Sequence, residues 1–169
     1  MPIPMTTLSQ GDPSCPTLVC IPGAMCAPRV YEASASASGL NAIALHWMET
    51  PGPHDLAHIA ARIAAAIHDI PRAILVGHSL GTPLAVLTAL KETSRVEGVV
   101  LTNSGANTRG HGDADRLIER IRIDWGPAFW DAFVARCFHR RPEGDLLDEV
   151  RAYSARIEKE AVIDAIRSQ

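Results

Sequence analysis

Apolar positions along this chain follow two different periods. Four short runs are apolar almost without interruption: Thr17-Leu18-Val19-Cys20-Ile21, Leu40 to Leu45, Ala73-Ile74-Leu75-Val76 and Val96 to Thr102. Runs this short, apolar on both faces and bounded by turn residues, predict strands of a sheet covered on both sides. Between them the spacing changes to three and four. Leu56, Ile59, Ile63, Ile67 and Ile70 form one stripe that predicts a helix over Asp55 to Asp69, stopped by Pro71. A second helix is predicted over Leu80 to Lys91, with Pro83 in its first turn, where proline is tolerated. Ala27 to Ser38 is rich in alanine and serine, compositionally simple from Ala33 onward, and predicts a weak helix. Residues 1 to 16 carry Pro2, Pro4, Pro13 and Pro16, which leaves room for one short edge strand at most. Strands alternating with helices predict the α/β class, a parallel sheet with helices on its faces.

After Gly105 the strand signal stops. Helical periodicity continues over Asp113 to Asp124, Pro127 to Phe138, and Asp145 to Ile166 with a possible break. The predicted organisation is therefore a core over residues 1–105 and a helical lid over 106–169. Trp125, Phe129, Trp130, Phe133 and Phe138 cluster in that lid. At helical spacing they pack a lid onto a sheet, and the cluster, Trp125 and Trp130 foremost, is also expected to form an apolar roof over an acyl or aromatic substrate, with Trp47 lining the same pocket from a strand end.

Composition narrows the function classes. The 169 residues are 47% hydrophobic and 21% charged with a net charge of -3, which describes a globular chain with a real core. Basic residues are not clustered as a nucleic-acid partner requires; the group around His139, with Arg136, Arg140 and Arg141, reads as a solvated helix end. No segment approaches the ~20 apolar residues of a membrane helix, and the first ten residues do not form a signal peptide. Cys15, Cys20, Cys26 and Cys137 make no disulfide framework and no Cys-x-x-Cys pair. A reducing, cytoplasmic setting is expected. His54 and His58, four apart, suggest a metal pair on a helix, but no glutamate lies between them and no third ligand is evident, so no metal or organic cofactor is expected.

The candidate chemistry lies between the third strand and the second strong helix, at Gly77-His78-Ser79-Leu80-Gly81. A serine hydroxyl is a weak nucleophile near neutrality and needs a base beside it. It must also project where base and substrate both reach it. A sharp strand-to-helix turn does this, and its crowding requires small residues two positions either side of the serine, here Gly77 and Gly81. The helix start that follows directs free N–H groups at the site. The Leu80 N–H is then an expected oxyanion donor.

This constellation resembles the nucleophile elbow of the α/β-hydrolase superfamily, in its lid-bearing esterase, thioesterase and haloperoxidase-like branch. The segment Ile21-Pro22-Gly23-Ala24-Met25 resembles that family's His-Gly-x-x turn, with Pro22 in the histidine position. The resemblance implies Ser79 as nucleophile and Ala24 N–H as the second oxyanion donor, with Met25 and His78 at the pocket. It implies a small acyl substrate and hydrolysis of a carboxylic ester or related compound. In the family, an acid and then a histidine follow the serine on later strands. The sequence stops at Gln169, where the acid-bearing strand is expected, so both are expected beyond Gln169 or on a second chain. Val96 to Leu101 would then form an apolar sheet edge, open to a partner chain or to self-association. His111 and His139 are the histidines after the serine that could substitute as base, with Asp113, Asp115 or Asp131 orienting them. Two further readings stand beside this one. Gly-His-Ser-Leu-Gly also resembles the elbow of malonyl-transfer enzymes, although Thr82-Pro83 and Ala24-Met25 stand where those carry glutamate and a Gln-rich loop. A hydrolase-like binding module is the third.

Overall fold

A computed structural model describes residues 2–104, 112–140 and 143–169. Five strands form one sheet: β1 (Met5–Ser9), β2 (Thr17–Ile21), β3 (Ala42–Leu45), β4 (Ala73–His78) and β5 (Val96–Thr102). Their order is β1-β3-β2-β4-β5. β1 runs antiparallel to β3, and every other neighbour pair is parallel. The chain thus builds outward from β2 to β3 on one side, then crosses over to β4 and β5 on the other. The loops leaving β2 and β4 emerge side by side at this reversal, at the carboxyl ends of the strands, where open α/β sheets place their ligand sites.

Register places those ends side by side. Ile21 of β2 pairs with Gly77 of β4, and His78 pairs with Thr102 of β5. Alternation along β4 sorts its side chains: Ala73 and Leu75 are fully buried, while Ile74, Val76 and His78 face the less covered side. The first face packs on α2 (Leu56–Ala66) and α3 (Gly81–Lys91), joining Leu75 to Ile59, Ile63, Leu84 and Ala85 in one core. The second face packs Cys20, Ala44 and Val76 against Tyr31, which precedes α1 (Glu32–Ser38). The segment expected as one weak helix is thus a 3-10 turn, Pro28–Tyr31, followed by a short α-helix. α2 starts where its cap dictates: the Asp55 carboxylate accepts the His58 N–H at 2.9 Å.

Beyond the sheet come α4 (Ala114–Asp124), α5 (Pro127–Cys137), α6 (Asp145–Arg156) and α7 (Lys159–Arg167). The break anticipated within the last helical stretch falls at Ile157-Glu158, whose extended backbone ends α6. Buried Ile118, Ile121, Val134, Val150, Tyr153 and Ile163 share the cluster that holds Leu75 and Leu84, so these helices and the sheet have one common core. Ion pairs and hydrogen bonds secure the seam. Arg29 meets Glu149 of α6 at 3.1 Å, Arg156 meets Glu49 at 2.7 Å, and Leu56 N–H donates to Ser168 Oγ at 3.0 Å. The boundary expected at 105/106 lies outside the described residues, as do His111 and Arg141.

β5 is an outer strand, and it is uncovered. Val99, Val100 and Leu101 expose 38%, 45% and 51% of their surface. No helix among the described residues is long and apolar enough to cross a membrane.

Candidate active site

The strand-to-helix turn after β4 is built by close backbone packing. Ser79 adopts φ +51, a left-handed conformation that costs a residue with a Cβ about 1–2 kcal/mol. Its N–H donates to Thr102 O at 3.0 Å, and its carbonyl accepts from Thr82 N–H at 3.0 Å. These bonds clamp the residue between β5 and the first turn of α3. The flanking glycines have no room for side chains. A Cβ at Gly77 would lie 2.5 Å from Gly81 O and 2.8 Å from Thr82 Cα. A Cβ at Gly81 would overlap Ile21 O and lie 2.8 Å from Ile21 C. The helix therefore starts in backbone contact with the end of β2.

That contact brings the segment after β2 to Ser79. A Cβ on Gly23 would lie 2.9 Å from Ser79 Cβ and 3.1 Å from His78 Nδ1. The segment closes as a turn, with Cys26 N–H donating to Gly23 O at 3.2 Å. Met25 sits at its third position with φ +58, a place that favours glycine. Among the described residues, neither the Ala24 N–H nor the Leu80 N–H has a hydrogen-bond partner. Leu80, at the N-cap of α3, is 5% exposed, and Ala24 is half-buried.

His78 precedes the serine and points to the α1 side of the sheet. Burial holds its imidazole below the ordinary histidine pKa, which keeps it neutral near pH 7. Nε2 lies 3.5 Å from Asn103 Nδ2, and buried Nδ1 has no partner among the described residues. Beside it a cavity of about 430 Å³ opens between the sheet, the α1 segment and α5. Met25, His78, Val76 and Val100 form its floor, and Phe133 and Phe138 stand across from them. Among the described residues that line it none is an Asp, Glu, Lys or Arg, and this part of the wall suits an uncharged group.

The aromatic residues divide differently from the sequence expectation. Trp47 is not in the wall of this cavity. It is fully buried beneath the turn, where its Nε1–H donates to Pro22 O at 2.9 Å. An indole at a strand end satisfies its one donor inward when a turn carbonyl lies in reach. Trp125 and Trp130 are also outside the lining. They stack edge-on at 6.0 Å, with Phe129 at 5.6 Å from Trp125, and so form an aromatic group of their own where α4 meets α5. Phe133, one turn further along α5, and Phe138, in extended backbone just past its end, are the aromatics that reach the cavity. Residues that periodicity missed are Cys26, Tyr31 and Val150, which line it from three separate elements.

Other candidates stand apart from Ser79. His139 is exposed, and Asp131 bonds to Arg151 at 2.9 Å. His46 bonds to Glu49 and Thr6. His54 is buried ahead of the α2 cap while His58 is exposed on the helix, so the two do not share a helix face. Among the described residues no group of three metal-ligating side chains forms.

Residues 18–166 match the sequence profile of the alpha/beta hydrolase family. No curated protein matches the sequence. Among solved structures, a hydrolase from Pseudomonas aeruginosa PA01 superposes with a TM-score of 0.74 at 16% identity, over 97% of this chain and 66% of that one. A structure from work on carboxylesterases of Nitrososphaera gargenis gives 0.71 at 14% identity, covering 98% and 67%. A lipase-esterase related protein from Clostridium acetobutylicum gives 0.66 at 20% identity, covering 97% and 68%. The chain thus spans about two thirds of the length of the solved structures it resembles. With the profile running from β2 into α7 and the same fold recurring in these structures, the chain belongs to the alpha/beta hydrolase family.

Proposed function

We propose that the protein is a serine hydrolase acting on a carboxylic ester or related acyl compound through an acyl-enzyme on Ser79. The observation that carries this reading is the strained Ser79 at φ +51, held against Gly23 with two free N–H groups, of Ala24 and Leu80, on the segments flanking it. Strain of this kind persists where surrounding structure enforces it, and it clusters at reactive positions. Ser79 Oγ attacks the substrate carbonyl as its proton passes to a base. The Ala24 and Leu80 N–H groups hold the oxyanion of the tetrahedral intermediate. Collapse expels the alcohol or thiol, and water then releases the acid.

We assign the base and its orienting acid to residues outside those described, on further chain or on a partner. Supporting this, His46 and His78, the histidines whose rings bond to other side chains, bond to Glu49, Thr6 and Asn103 and not to Ser79. The uncovered β5 edge offers a second chain, or a second copy, a place to pair. Four free thiols support a reducing setting. A fluorophosphonate probe with peptide mapping tests the assignment. The expected result is slow adduct formation at Ser79 that vanishes in Ser79→Ala. Label at other residues with Ser79 untouched after prolonged exposure overturns it.

A further inference from the structure

The turn that faces Ser79 is held from beneath by two side chains that lie some 25 residues later in sequence. We propose that Trp47 and Met48 are positioning residues for the Ala24 N–H, which they aim by anchoring the turn on either side of it. The proposal rests on the oxyanion role given to Ala24 above.

Hydrogen bonding across the turn accounts for the arrangement. Pro22 O accepts from Trp47 Nε1–H at 2.9 Å. Met25 N–H donates to Met48 Sδ at 3.4 Å. Gly23 O accepts from Cys26 N–H. Every anchor therefore falls before or after Ala24, and its own N–H is left unpaired beside the serine. Both anchoring side chains are buried, at 0% and 2% exposure, so neither bond competes with water. They are themselves fixed, because Thr50 Oγ1–H donates to Trp47 O at 2.8 Å and His46 N–H donates to Pro4 O at 2.9 Å.

The thioether bond is the informative one. Sulfur is a weak acceptor, and methionine is rarely needed for that purpose. Here it satisfies a buried N–H on a residue held at φ +58. Without it, Met25 has a buried, unpaired donor in a conformation it already disfavours. Returning its φ to the ordinary region rotates the peptide on its N-terminal side, and the neighbouring 23–24 peptide turns with it.

The test uses a phenylboronic acid on the whole chain. Its trigonal boron accepts the lone pair of Ser79 Oγ as the hydroxyl proton leaves to buffer, and the resulting tetrahedral boronate, a monoanion, sets a hydroxyl oxygen where the oxyanion would lie. Met48→Leu keeps the side chain's bulk but removes the acceptor, and Met48→Gln restores one. Trp47→Phe keeps a buried ring but removes the donor. Loss of one such bond corresponds to a factor of about five, so Met48→Leu and Trp47→Phe should each weaken boronate binding at least that much. Met48→Gln should bind close to wild type, and a planar neutral ligand, phenylacetamide, should bind all four proteins alike. The Ala24 amide nitrogen resonance should shift in both weakened variants. Equal boronate affinity in wild type and Met48→Leu with the Ala24 resonance unmoved overturns the proposal, and so does a Met48→Gln protein as weak as Met48→Leu. If the wild type takes no boronate and prolonged fluorophosphonate exposure also leaves Ser79 untouched, the Ser79 reading fails. The Ala24 resonance in the free proteins then decides the positioning role alone.

Discussion

Replacing Gly81 with alanine probes the contact on which the site is built. The new Cβ would overlap Ile21 O and come within 2.8 Å of Ile21 C and 2.9 Å of Pro22 O. All three atoms are backbone, so no side chain can rotate away. Either β2 or the start of α3 must move, although β2 pairs with β4 through five registered residues. Overpacking of well-packed sites costs about 1–3 kcal/mol, and a backbone-on-backbone overlap belongs at the upper end. Alanine returns at most about 1 kcal/mol of helix propensity at the start of α3. The net loss is at least about 2 kcal/mol, or roughly 4–8 °C in Tm for a chain of this size. Urea unfolding at unchanged m-value measures it. Gly98→Ala is the control. Its Cβ would sit 3.9 Å from the nearest Ile74 atoms, an ordinary contact, and alanine in a strand gains roughly 0.5–1 kcal/mol over glycine. A Gly81→Ala protein within about 0.5 kcal/mol of wild type, the usual range for surface changes, would refute this account of the close approach.

Three further outcomes are expected. Burial, the largest single influence on Glu49, raises its carboxyl pKa, but hydrogen bonds from Arg156 and His46 outweigh it and leave the group below its ordinary value. Its contribution is therefore present at neutral pH and lost as pH falls through the folded-state value, which lies below that of an ordinary glutamate. With Arg156 half-exposed this amounts to about 0.5–1 kcal/mol, read as lower amide protection factors of α6 in acid, after division by the intrinsic exchange rate at each pH, and as loss of that acid sensitivity in Glu49→Gln. Burial pushes Cys20 and Cys26 up to about 12, so an aromatic disulfide reagent at mildly alkaline pH should modify Cys137 and Cys15 well before them, as counted by mass spectrometry. Leu101→Lys places a charge on the open β5 edge and should lower the self-association seen in sedimentation velocity, while a wild type that stays monomeric at high concentration counts against an adhesive edge.

Much of this architecture is legible in the one-dimensional pattern, and the misses have physical causes. β2, β4, β5 and α2 follow from apolar runs and a stripe, because burial on both faces of a strand and on one face of a helix leaves a local periodic mark. The turn at Gly77-Gly81 follows because backbone crowding excludes every larger residue, a local demand as well. Trp47 lies under the turn and not in the cavity wall, since its single donor is directed by a carbonyl that lies 25 positions earlier. Trp125 and Trp130 belong to the same aromatic run as Phe133 and Phe138, yet only Phe133 on α5 and Phe138 just past its end line the cavity, while Trp125 and Trp130 pack on each other. Sequence by itself determined which segments are strands and helices and where the chain must turn tightly on small residues. Which loops meet was decided by the sheet order and by the register that sets Ile21 beside Gly77, because strand pairing joins residues far apart in the chain and leaves no periodic trace along it.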